Sequence, residues 1–209
     1  VVDISFGING DCDMHIIADL KQYTSNQSIY LKSLLDEDPD LKLNIGYIWG
    51  AQGTLAATMQ YDGFYDTLFE DEKYANRCKL LIDKVCDWRA DLAQAAIEDW
   101  MQAYPEMNCV VTMSDEMALA VVEALKGAGE NLDDWIVVGK DGSDAAVVSL
   151  KAGELDATSQ MRKEDFGTMA AKTIISYLDG DDVGLNDEKY VYFNEFRLLT
   201  KENIGEFYK

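Results

Sequence analysis

Short apolar runs alternate with amphipathic stretches along almost the whole chain, and few folds accept that order. The clearest instance is Val110-Val111-Thr112-Met113-Ser114-Asp115-Glu116-Met117-Ala118-Leu119-Ala120, a buried-strand run, a polar elbow and the first turn of a helix. After Asp115 the apolar residues fall at Ala118, Val121, Val122 and Leu125, the spacing of one helical face. Ser114 and Asp115 suit the helix start, and Gly127 and Gly129 suit its end. The same reading predicts strands over 1–6, 15–20, 43–49, 79–86, 108–113, 135–139 and 155–161, with strand character over 190–199. It predicts helices over 24–35, 54–69, 90–103, 143–152 and 165–178 and a short one over 201–208. Apolar strands joined by helical crossovers imply an α/β fold, with parallel sheet covered on both faces. In such a fold ligands lie beside the carboxyl ends of strands. The Ser114-Asp115 elbow is therefore either a plain capped turn or one wall of a site.

Charge excludes some partners. With 18 Lys and Arg against 39 Asp and Glu the net charge is −21, which argues against nucleic acid and anionic membrane, since phosphate contacts need clustered cations. Acidic runs such as Asp36-Glu37-Asp38, Asp133-Asp134 and Asp181-Asp182 read as solvated loops, without the alternating spacing of a calcium loop. No apolar run reaches the length of a membrane span. No signal peptide is visible at the start, and Val1-Val2-Asp3-Ile4 reads as the middle of a fold, so a fragment or trimmed chain is expected.

The four cysteines contain no Cys-x-x-Cys, and the single His15 leaves no zinc set. Cys78 and Cys86 flank one expected strand. Eight extended residues span about 26 Å, beyond the roughly 7 Å a disulfide tolerates, so these two are not expected to pair. Cys109 reads as a small core hydrophobe. No Gly-x-Ser-x-Gly, His-Glu-x-x-His or phosphate-loop pattern occurs, and Gly50-x-x-Gly53 is only half of a dinucleotide turn. His15 reads as structural rather than as a base. No nucleophile, base and oxyanion set assembles, so an enzyme is disfavoured and neither cofactor nor metal is expected.

Three further strand ends carry groups that suit a polar small molecule. Val137-Val138-Gly139-Lys140-Asp141-Gly142 places Asp141 just past a strand, Cys86-Asp87-Trp88-Arg89 presents an indole and a guanidinium, and Val1-Val2-Asp3 presents a carboxylate. Carboxylates accepting paired hydroxyls, with an indole on the C–H face of a ring, make a sugar site. Trp88 is equally open to ordinary packing, and Asp3 and Asp141 to turn capping.

The order of these pieces resembles that of bacterial periplasmic sugar-binding proteins of the ribose and galactose type. Gly53-Thr54-x-Ala56-Ala57 with Asp62-Gly63-Phe64, then Asp87-Trp88-Arg89, Ser114-Asp115-Glu116-Met117-Ala118-Leu119, Val137-Val138-Gly139-x-Asp141-Gly142 and Leu199-Thr200-Lys201-Glu202-Asn203-Ile204 are similar to family segments in the same order. The resemblance implies a type I periplasmic binding protein fold: two Rossmann-like lobes with parallel sheets, hinged around a ligand. It implies that the first lobe is incomplete here, by about 90 residues, since such a lobe approaches domain size. Residues 1–20 would then be the remnant of the N-terminal lobe, 21–160 the C-terminal lobe, 161–195 a segment returning to the first lobe, and 196–209 the tail.

Residue by residue, the resemblance makes Asp3 and Asp141 hydroxyl-binding aspartates and Trp88 a stacking aromatic, with Ser114 in the place of a sugar-binding asparagine. Ile4 and Thr58 stand where ribose-type proteins carry arginines, and Met161 aligns with a glutamine, although Gln160 is adjacent. Losing two guanidinium forks argues against ribose and leaves another sugar, an inositol-like polyol or a less polar ligand. The implied role is solute binding for a carbohydrate ABC importer, outside the cytoplasm and lipid-anchored when complete, with a membrane permease as partner and a monomeric full-length protein. The alternatives are the effector domain of a LacI-type transcriptional regulator or the ligand-sensing domain of a receptor.

Overall fold

A computed structural model describes residues 1–5 and 12–208. The expected end of the first strand at Phe6, and most of the loop that follows it, lie outside the described residues.

In chain order the elements are β1 (Val2–Ser5), β2 (Met14–Ala18), α1 (Leu20–Glu37), β3 (Leu43–Trp49), α2 (Leu55–Phe69), α3 (Glu72–Ala75), β4 (Cys78–Val85), α4 (Ala90–Ala103), β5 (Cys109–Thr112), α5 (Asp115–Ala128), β6 (Ile136–Asp141), α6 (Asp144–Ala152), β7 (Ala157–Met161), α7 (Lys163–Asp179), β8 (Tyr190–Phe193), β9 (Phe196–Thr200) and α8 (Ile204–Phe207). They build two sheets: a three-stranded one ordered β1-β2-β8 and a six-stranded one ordered β4-β3-β5-β6-β7-β9. Every pairing is parallel except β7 with β9. This is the expected α/β class.

The larger sheet is covered on both faces, so β5 is wholly buried and β3 nearly so. Trp100 of α4 lies flat on β3, where a Cβ on Gly46 would come within 2.7 Å of its ring. α1 crosses α2 closely, because a Cβ on Gly63 would meet the Lys21 carbonyl oxygen at 2.1 Å. Thr24 and Ser28 hydroxyls donate to the Gln60 and Phe64 carbonyls there, each at 2.7 Å. Buried Gln27 of α1 donates to the carbonyls of Thr112 and Gly139 at 2.8 and 2.9 Å, tying the helix to the ends of β5 and β6. The smaller sheet buries much less: Met14 and Ile16 pack with Ala170 of α7.

Three expectations are corrected. The helix predicted from 24 begins at Leu20, because the Asp19 carboxylate accepts the Gln22 N–H at 3.0 Å and caps it four residues earlier. At its other end α1 continues through Glu37, so the run Asp36-Glu37-Asp38 closes a helix rather than lying in a loop. The single strand expected over 190–199 is two: β8 joins β2 in the smaller sheet, and β9 turns back antiparallel on β7 in the larger one. Asn194 and Glu195 separate them without a Gly or Pro to mark the break. The four cysteines are free, and Cys109 is fully buried between β3 and β6.

Candidate ligand-binding site

The carboxyl ends of β3, β4 and β6 meet the first turns of α2 around a cavity of about 760 Å³, with Ile17, Tyr190 and Tyr192 of the smaller sheet on its other side. Two of the sequence-expected residues, Trp88 and Asp141, line it together with Gln60 and Lys140.

Trp88 follows β4 in a tight turn in which Arg89 N–H donates to the Cys86 carbonyl at 2.8 Å. Asp87 and Trp88 hold φ of 49° and 61°, left-handed values that non-glycine residues seldom adopt and that gather at functional sites. The indole lies on Gly50: a Cβ there would fall 2.1 Å from Trp88 Cε2. Gly50 is therefore a glycine because the indole occupies the space of its side chain. The guanidinium of Arg89 is exposed and paired with Asp91, donating from Nε to Oδ1 at 3.0 Å, and is not part of the cavity wall.

The β6 end is also strained. Asp141 has φ of 127° and Gly142 of 69°. Lys140 is buried, with its Nζ 3.2 Å from Asp141 Oδ1 and over two ring faces, 4.9 Å from the centroid of Tyr23 and 5.7 Å from that of Trp88. Loss of solvent pushes the Asp141 carboxyl above its usual range, and the Lys140 ammonium pulls against that shift. Gln60, only 3 % exposed, donates from Nε2 to the Ala56 carbonyl at 3.2 Å, while its Oε1 accepts no hydrogen bond among the described residues. That oxygen is closed off from solvent, so it is an orphaned acceptor behind the wall rather than a group presented to the cavity.

The remaining expected residues are placed differently. Ser114 is buried beneath the α5 start, its Oγ accepting the Met117 N–H at 3.4 Å. Neighbouring Asp115 is fully engaged, accepting from Thr158 Oγ1 at 2.6 Å and Ser143 N–H at 2.7 Å. Burial raises its carboxyl above the ordinary range despite those bonds. Gly139 makes this possible, since a Cβ would stand 2.5 Å from Asp115 Oδ1. Met161 lines a second cavity of about 460 Å³ with Asp115, Glu116 and Lys163, and Asp141 is common to both cavities. Thr58 is exposed on α2, its hydroxyl donating to the Thr54 carbonyl at 3.3 Å, and lines neither cavity. Asp3 is buried in the smaller sheet, 3.1 Å from His15 Nδ1, and His15 stacks on Tyr190 at 4.7 Å between centroids.

Lys140, Gln60, Tyr190 and Tyr192 were not singled out from sequence. A lysine ending the apolar run Ile136-Val137-Val138-Gly139 is a detectable anomaly. Gln60 and the tyrosines carry no comparable signal, because only the tertiary arrangement brings them to the cavity.

The arrangement offers an acceptor at Asp141, a donor at Lys140 and an indole face, groups that suit the hydroxyls and ring of a polar small molecule. Among the described residues no group of three or more His, Cys, Asp or Glu could hold a metal ion.

Residues 1–182 match the family model described as a periplasmic binding protein domain. A protein of Rhizobium meliloti named as a candidate rhizopine-binding protein is 28% identical over 160 residues, covering 77% of this chain and 50% of the relative. The ribose import binding protein RbsB of Bacillus subtilis is 28% identical over 134 residues, 64% of this chain and 41% of the relative. The chain thus spans half or less of these curated relatives. Among solved structures, a solute-binding protein of a Bacillus halodurans ABC transporter with bound myo-inositol superposes with TM-score 0.76 at 25% identity, over 94% of this chain and 63% of its own. One from Actinobacillus succinogenes with bound D-allose gives 0.80 at 16% identity, over 98% and 70%, a likeness of fold.

Proposed function

The chain belongs to the periplasmic binding protein domain family, and we propose that it forms part of a solute-binding protein that delivers a monosaccharide or related polyol to an ABC importer. The observation that supports the reading best is the cavity between the two sheets, where the Asp141 carboxylate offers a hydroxyl acceptor beside the Lys140 ammonium and the indole of Trp88. Relatives named for ribose import and xylitol binding support the ligand class, and the import names favour a transporter over a regulator's effector domain. The family places the protein outside the cytoplasm; a lipid anchor and a permease partner are part of the proposal, as is its action as a binding protein without turnover.

We read the two sheets as parts of two lobes. The proposed division is 1–20 and 161–195 for the first lobe, 21–160 for the second and 196–209 for the tail; β1, β2, α7 and β8 lie with the smaller sheet, whereas β7 through Met161 and the tail strand β9 lie in the larger one. That division is supported by α7 packing on Met14 and Ile16 and by β8 pairing with β2. Of the expected site residues, Trp88 and Asp141 are proposed to touch ligand, and Met161 to wall the adjoining cavity. Asp3 is proposed to reach ligand on opening or closing of the lobes, Ser114 to hold the β5–α5 turn, and Thr58 to lie at the rim.

The test is a calorimetric titration of the full-length protein with the monosaccharides and polyols that raise its melting temperature. Trp88→Ala should weaken the best of them about tenfold with little change in melting temperature, and Asp141→Ala about ten- to a hundredfold, with a lower melting temperature because the buried Lys140 ammonium loses its carboxylate partner. Unchanged affinity in both variants would remove the cavity as the binding site.

A further inference from the structure

Lys140 is an unusual residue to bury. Its side chain is 7 % exposed at the end of an apolar strand, and its ionic partner among the described residues is Asp141 at 3.2 Å. Two ring faces, those of Tyr23 and Trp88, lie beside the same ammonium. A carboxylate beside two ring faces is the environment that captures an ammonium ion. Without Lys140, the acceptors and rings of this cavity would favour a ligand carrying a protonated amine. Lys140 fills that place with the protein's own ammonium.

Resting on the reading of the cavity as a sugar or polyol site, we propose that Lys140 is its specificity-determining residue: an internal cation that occupies an ammonium cage, pairs with Asp141 to bind two neighbouring hydroxyls, and turns away ligands bearing a charged amine. The Nζ–Oδ1 pair sets a donor next to an acceptor, and hydroxyls on adjacent carbons present the complementary acceptor and donor. A ligand ammonium, by contrast, would meet Asp141 already paired and Lys140 as a like charge, which is discrimination by repulsion.

The experiment compares a neutral ligand with its amino analogue in the full-length protein: myo-inositol against an inosamine, and D-glucose against D-glucosamine, at about pH 6 so that the amine is charged. The wild-type protein is expected to bind the neutral member of a pair at least about tenfold more tightly. Lys140→Met, which keeps length and apolar contact, should shift that ratio about tenfold or more toward the amine, and Lys140→Arg, which keeps the charge, should leave it near the wild-type value. Melting temperatures of both variants check that they fold, and the arginine variant carries the test if the methionine one does not. An unchanged ratio in Lys140→Met, a ratio in Lys140→Arg that collapses to unity, or a wild-type protein indifferent to the amine overturns the role given to Lys140 while leaving the polyol site standing. Failure of every neutral sugar and polyol to bind overturns the site itself.

Discussion

Asp115 illustrates how one side chain can fix several strand ends at once. Its carboxylate is 1 % exposed and holds together the α5 start, the Ser143 amide after β6 and Thr158 of β7. Burial raises its folded-state pKa above that of the unfolded chain, so the folded state binds the proton more readily. The resulting stabilisation is complete below the unfolded value, near ~3.9, and is lost as pH rises through the raised folded value. Denaturant titrations should therefore find the stability of wild type over Asp115→Asn larger at about pH 4 than at about pH 7; a difference that is flat with pH would refute this. Ser114 and Asp115 were both legible as caps of the elbow; Ser114 caps α5, whereas Asp115 is its first residue and engages its carboxylate with Ser143 and Thr158. Those partners were not legible, because Ser143 and Thr158 lie far along the chain and only the parallel pairing of β6 with β7 brings them close. Trp88 shows the opposite case: its place after a strand suggested a ligand face, and the structure adds that Gly50 is kept small beneath it.

Elements were legible where periodicity and punctuation agreed. α5 runs from the Ser114 cap to Gly129 in the left-handed conformation, and α6 from the Ser143 cap to Gly153, as Ser and Gly at those positions imply. α1 was misjudged at both ends because the Asp19 cap stands inside an apolar stretch and no glycine stops the helix before Pro39. β8 and β9 merged in the reading because strand-forming residues continue across Asn194 and Glu195 while the hydrogen-bond partners change sheet. The α4–β3 contact belongs at this scale. The Trp100 ring sits against Gly46 with almost no exposure, so Trp100→Ala should cost about 3–5 kcal/mol in a denaturant melt, and a loss below about 1 kcal/mol would mean the helix repacks freely.

At the scale of the molecule the two sheets are unequal. The larger carries a continuous core from β4 to β9 with helices on both faces, whereas the smaller relies on Met14, Ile16 and one buried residue of α7, Ala170. Local stability follows buried apolar contact, so in this 209-residue chain backbone amides of β2 and β8 should exchange with solvent faster than those of β3, β5 and β6. Equal protection in a hydrogen-exchange time course would contradict that ranking. The sequence by itself determined the α/β class, the parallel order of most strands, the caps of α5 and α6, and the strand ends from which a site could be built, because periodicity, capping and turn chemistry are local. It also carried enough ordered motif to imply the family. Only the tertiary structure decided which strand ends share a cavity. It gathered Gln60, Tyr190 and Tyr192 beside Trp88 and Asp141, and it committed Asp115 to structure. It also placed the Lys140 ammonium between two rings and a carboxylate. Those outcomes depend on which residues become neighbours across the sheets, and on how burial reprices a charge once water is gone.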